Sequence, residues 1–135
     1  MSSAIDAVGD PAGVVLYVED DALNQSLMES VLRRRPGVRL VVHALGADAL
    51  REAVTLRPDL ILLDRHLPDV NADTVLQHLH AHPDTRNIPI VIVSGDVHAP
   101  RTGEAALGVV GYLTKPYDIR ELLAYVDRLL GPASR

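Results

Sequence analysis

The sequence predicts an α/β fold: an open, doubly wound parallel sheet with helices on both faces. Two observations predict it. Short apolar runs alternate with amphipathic stretches along the chain, the pattern of strand–helix–strand units. The 135 residues suffice for one core of that kind but not for two.

The elements follow in order. Residues 14–18 are short, β-branched and followed by acidic residues, which predicts a buried strand. Residues 22–35 carry Leu23, Leu27, Val31 and Leu32 at helical spacing, and Pro36-Gly37 stops the pattern. Residues 39–43 form a second strand. A helix over 47–57 places Leu50, Ala53 and Val54 on one face and ends before Pro58. Strands over 60–64 and 90–94 flank a helix over 72–81, and 111–113 is a brief fifth strand. Residues 118–130 close the pattern with Ile119, Leu122, Leu123, Val126 and Leu130, a strongly amphipathic helix. The expected organisation is a disordered leader over 1–12, one domain over 13–131 and a short tail over 132–135.

Composition removes several classes of function. The formal net charge of −5 repels nucleic acid phosphates, so no direct nucleic acid partner is expected. Arg33, Arg34 and Arg35 are the one basic cluster, at a predicted helix end where cations complement the dipole. Without cysteine there is no disulfide, thiolate metal site or thiol nucleophile, which fits a cytoplasmic location. Neither a signal peptide nor a membrane span is visible, so no membrane association is expected.

Open parallel sheets place ligand chemistry at the carboxyl ends of their strands. Glu19 and Asp20 follow the first strand, Asp64 ends the third, Ser94 ends the fourth and Lys115 follows the fifth. Three converging carboxylates repel one another unless a cation lies between them. Oxygen-only ligation suits Mg2+, with a substrate phosphate completing its shell. A carboxylate is also a nucleophile towards a phosphoryl group, a transfer that needs mainly positioning and charge neutralisation. Lys115 and the Ser94 hydroxyl are placed to meet phosphoryl oxygens, and the set is complete for phosphorylation of Asp64.

Val18-Glu19-Asp20-Asp21, Asp64 with Leu67-Pro68 behind it, Val93-Ser94-Gly95 and Tyr112-Leu113-Thr114-Lys115-Pro116 resemble response-regulator receiver domains. The likeness covers residues 14–130 in the family's order of elements. It implies a flavodoxin-like sheet of strand order 2-1-3-4-5. It implies that Asp64 is the phosphoacceptor and that Mg2+, or Mn2+ in its place, is held by Glu19, Asp20, Asp64 and the backbone carbonyl of His66. Ser94 and Lys115 would bind the phosphoryl group, Ser94 and Tyr112 would be the switch pair, and Lys115–Pro116 would be a cis bond. The implied donor is a histidine kinase or a histidine phosphotransfer protein. The implied output is a changed protein-binding face of fourth helix, fifth strand and fifth helix, on a monomer or a phosphorylation-dependent dimer. Such a domain is no enzyme beyond its own phosphorylation and dephosphorylation.

Two departures stand out. Ala72 replaces the family's usual Gly at the start of the third helix, which predicts a different arrangement of residues 67–71. Pro100, Gly103 and Gly108 predict a short or mobile fourth helix. Asp21 is expected to cap the first helix, and His78, His80 and His82 to form a solvated stripe. His66 is expected to tune loss of the phosphoryl group. Two other readings compete. An Asp-nucleophile phosphohydrolase would want a second Asp where His66 stands, and a phosphate-independent interaction domain would not need the polar set.

Overall fold

The structure, a computed structural model, describes residues 10–95 and 100–132. Its elements are β1 (Gly13–Val18), α1 (Ala22–Leu32), β2 (Val38–His43), α2 (Gly46–Leu56), β3 (Leu60–Asp64), α3 (Ala72–Ala81), β4 (Ile90–Ser94), a 3-10 turn (Ala105–Leu107), β5 (Val109–Thr114) and α4 (Ile119–Leu129). The five strands form one parallel sheet of order β2-β1-β3-β4-β5. The fold class and strand order are those expected.

Alternation along the strands divides the core in two. Val15 and Tyr17 of β1, Leu60 and Leu62 of β3, and Val91 and Val93 of β4 face α1 and α4. The intervening residues Leu16, Val18, Ile61, Leu63, Ile90 and Ile92 face α2 and α3. A strand apolar on both sides has no stable place but between two helical layers.

Local chemistry sets the helix starts. Asp21 accepts from the Leu23 N–H (3.2 Å), Asn71 from Thr74 (2.9 Å) and Asp118 from Arg120 (2.8 Å). α2 has no cap of its own. The Asp69 carboxylate, arriving from the β3–α3 loop, accepts from Gly46 N (2.9 Å) and Ala47 N (3.0 Å). These two N–H groups hold Asp69 below the usual carboxylate range.

Several expectations need correction. α1 ends at Leu32 rather than at residue 35, and its buried face is Met28, Val31 and Leu32. Leu23 and Leu27 are 74% and 48% exposed. Arg35 does not serve the end of its own helix alone. Its guanidinium grips Asp127 of α4 at 2.7 and 2.8 Å, the bidentate geometry that arginine favours. β5 is twice the expected length and absorbs a register shift opposite Ile90 and Val91, beside which Val110 stands exposed.

Ala72 causes no strain. Asn71 before it is extended (φ −86°), and the only positive-φ non-glycine described is Arg57, just past α2. A short antiparallel bridge between His66 and Asn71 closes the loop. Between β4 and β5 the described helical structure is the single 3-10 turn, so the fourth helix is short. Residues 96–99 lie outside the described residues, as do residues 1–9 of the expected leader over 1–12 and 133–135 of the expected tail. Pro11 is buried and bridges to Pro132, and Ala12 N donates to Gly131 O at 2.9 Å. No helix among the described residues is long and apolar enough to cross a membrane.

Candidate functional site

Strand register brings the polar residues together. Val18 pairs with Leu63 and Asp64 with Val93, so Glu19, one residue on, lies level with Asp64. Ser94 pairs with Thr114, which puts Lys115 just beyond the edge, and Ser94 O accepts from Lys115 N at 2.8 Å. The Lys115–Pro116 bond is cis.

Lys115 bridges two carboxylates. Its Nζ lies 2.6 Å from Glu19 Oε1 and 3.3 Å from Asp64 Oδ2. Glu19 is buried, and its carboxylate also accepts from the Tyr17 hydroxyl (3.1 Å) and Asp21 N (3.1 Å). Gln25 Nε2 donates to the Glu19 carbonyl at 2.6 Å. Asp64 Oδ1 accepts from His66 N at 3.1 Å. Asp20 is exposed at the rim, yet oxygens of Glu19, Asp20 and Asp64 all lie within 4.8 Å of one another.

The two buried carboxyls are pushed in opposite directions. Burial raises Asp64 above the ordinary carboxylate range; the His66 N–H and Lys115 pull against it, and the charge of Glu19 adds to the rise. Burial also raises Glu19, but the bonds from Lys115 and Asp21 N carry it below its usual value. Lys115 loses to burial and gains more from Glu19 and Asp64, so its ammonium is held.

This donor set fits a hard divalent cation. It offers oxygens only, and it leaves Asp64 at a carboxyl whose charge a nearby cation would stabilise. Glu19, Asp20 and Asp64 could hold such an ion, which would supply neutralisation of negative charge there. The His66 carbonyl, the fourth expected donor, belongs to the residue whose N–H already orients Asp64.

Tyr112 stands apart from this cluster. It is half-buried, and its hydroxyl donates to Glu104 Oε1 at 2.6 Å. The histidines form no metal group among the described residues: His78 Nδ1 donates to Thr74 O (2.8 Å), and His82 Nδ1 accepts from Asp84 N (3.1 Å). Three participants escaped sequence reasoning. Tyr17 looked like one more apolar strand residue, and its hydroxyl is what holds Glu19 from below. Arg65 and Glu104, 1% and 3% exposed, form a buried ion pair at 2.7 Å. Arg65 had one visible signal: it is a second charge, directly after Asp64, where the buried strand ends.

The profile of the response regulator receiver domain matches residues 15–127. The chain belongs to the response regulator receiver domain family. This receiver domain is 36% identical over 124 residues to the DNA-binding dual master transcriptional regulator RpaA of Synechocystis, covering 90% of this chain and 50% of that protein. It is 32% identical over 124 residues to the polar-differentiation response regulator DivK of Brucella anthropi, covering 88% and 97%. The chain thus spans half the length of one relative and nearly all of the other. Among solved structures, it resembles the receiver domain of the sensor histidine kinase PA1611 of Pseudomonas aeruginosa, described with a magnesium ion in its active site cleft. The TM-score is 0.78 at 30% identity, covering 87% of this chain and 97% of that one. Receiver domains are regulatory modules of two-component systems.

Proposed function

We propose that this receiver domain is a phosphoacceptor switch that takes a phosphoryl group onto Asp64. The observation that carries the reading is the Lys115 ammonium set between Glu19 and Asp64, beside an exposed Asp20. Nothing but charge neutralisation and positioning is needed from such a site. An Asp64 carboxylate oxygen forms its bond to phosphorus as the donor's bond to phosphorus breaks. Lys115 would balance the incoming charge, and Ser94, buried at the end of β4, would donate to a phosphoryl oxygen.

The donor would be a phosphohistidine of a histidine kinase or phosphotransfer protein, and Mg2+, with Mn2+ able to replace it, the cation. The state of Asp64 would be read by a downstream protein on the side of β5 and α4. Incubation with Mg2+ and acetyl phosphate, followed by intact-mass measurement, tests this. The expected result is a phosphoryl adduct that chelation of Mg2+ prevents; a mass unchanged under every donor, with Mg2+ bound, removes the reading.

The electrostatics give a pH prediction. Protons compete with the cation at Asp64, and that carboxyl is raised by burial, so competition begins on the neutral side of an ordinary aspartate. Mg2+ is therefore expected to bind more weakly at about pH 5 than at about pH 7.5. Calorimetric titration at the two pH values measures it, and equal affinities would count against the assignment of Asp64 as a ligand.

A further inference from the structure

Glu104 gathers four hydrogen bonds on one buried carboxylate. Arg65 Nη1 donates to Oε2 at 2.7 Å and Arg65 Nη2 to Oε1 at 3.2 Å. The Tyr112 hydroxyl donates to Oε1 at 2.6 Å, and Arg101 N at 3.2 Å. The Glu104 carbonyl in turn accepts from Leu107 N (2.9 Å) and Val109 N (3.1 Å), so it also sets the 3-10 turn and the first residue of β5.

Three segments thus meet at one side chain: the residue after Asp64, the 3-10 turn and the middle of β5. A fully buried arginine is costly to leave without its partner, so Arg65 and Glu104 are held to each other. A displacement of the chain at Asp64 would reach Arg65, its covalent neighbour, and through the ion pair Glu104. We propose that the Arg65–Glu104–Tyr112 network carries the state of Asp64 to the 3-10 turn and β5. Arg65 and Glu104 are positioning residues in this scheme and touch no phosphoryl group. The proposal rests on the phosphoacceptor reading and adds a route by which that site is heard at a distance.

Amide hydrogen exchange at Leu107, Gly108 and Val109 reports the far end, because the first and last of these bond to Glu104 and Gly108 N bonds to Ala105 O (3.2 Å). The probe at Asp64 is beryllium fluoride with Mg2+, a stable mimic of an aspartyl phosphate. In the wild type, the probe is expected to change exchange at these amides by about fivefold or more, the lower range of measured coupling between sites. In Glu104→Gln and Tyr112→Phe, which keep side-chain shape, the probe should still bind but the remote change should fall below about twofold. The double variant Arg65→Met with Glu104→Leu, which replaces the whole pair, should behave likewise and guards against a single variant that fails to fold.

Undiminished remote response in folded variants that bind the probe overturns the network and leaves the phosphoacceptor reading intact. So does a wild type that binds the probe without any change at residues 107–109. A wild type that neither binds the probe nor takes phosphate from acetyl phosphate overturns both.

Discussion

Replacing Asp64 by Asn is expected to abolish the phosphoryl adduct completely without weakening the fold. Asn is isosteric and its carbonyl can keep the bond from His66 N, but its amide is no nucleophile. The stability half of the prediction follows from the sign of the perturbation. Asp64 is raised in the folded protein, so the native state binds the proton more tightly than the unfolded chain. The favourable contribution of that proton is present at acid pH and is lost as pH rises through the raised folded value. At neutral pH the ionised side chain is a net cost, relieved in part by Lys115, and Asp64→Asn removes the cost while Lys115 keeps Glu19. Thermal unfolding near neutral pH should therefore show a midpoint equal to or above that of the wild type. Added Mg2+ should reverse the order: at a hundred times its dissociation constant a ligand stabilises by about 2.7 kcal/mol, a gain the variant should largely forgo. A variant that is markedly less stable without Mg2+, or that still forms the adduct, contradicts the placement of charge described for this site.

The second large effect concerns Arg65. Among the described residues, Arg65→Ala leaves the buried Glu104 carboxylate the Tyr112 hydroxyl and Arg101 N, and breaking one side of a buried pair costs about 3–5 kcal/mol. For a domain of this size that is a fall of about 10 °C or more in the unfolding midpoint. Replacing both partners, Arg65→Met with Glu104→Leu, should recover most of it, since apolar substitutes of similar volume often match or exceed a buried pair. The pH dependence gives an independent signature. In the wild type, burial raises Glu104, but Arg65 and Tyr112 carry it below its usual value. Its contribution to stability is present above the unfolded value and lost as pH falls through the lowered one. Without Arg65 the largest opposition to burial is gone, leaving Tyr112 and Arg101 N, so the alanine variant should lose less stability than the wild type on acidification. Equal acid slopes would mean that Glu104 is not held by Arg65 in solution.

The strands were legible because a parallel sheet covered on both faces demands continuous apolar runs, and no other element of this chain does. The ends of those runs located Glu19, Asp20, Asp64, Ser94 and Lys115 on one edge by topology alone. The helical face of α1 was not so determined. Leu23, Leu27 and Val31 make one stripe and Met28, Val31 and Leu32 another, and both satisfy a 3.6-residue period. Only the position of α1 on the sheet chooses the second. The Arg65–Glu104 pair was hidden for a different reason: its partners are 39 residues apart, and the segment that supplies Glu104 reads locally as a glycine- and proline-rich connection. A charge without a local partner does not say whether it points at water or at a partner across the fold.

The junction of Ala12 with Gly131, and of Pro11 with Pro132, has a bearing on engineering. Both strands of that junction leave the domain at the starting edge of the sheet, the pole away from Asp64. A unit whose entry and exit stand side by side can be spliced as a cassette into a surface loop of another protein without prying the host loop open. The host would then sit behind the sheet and leave the acceptor edge clear for a donor.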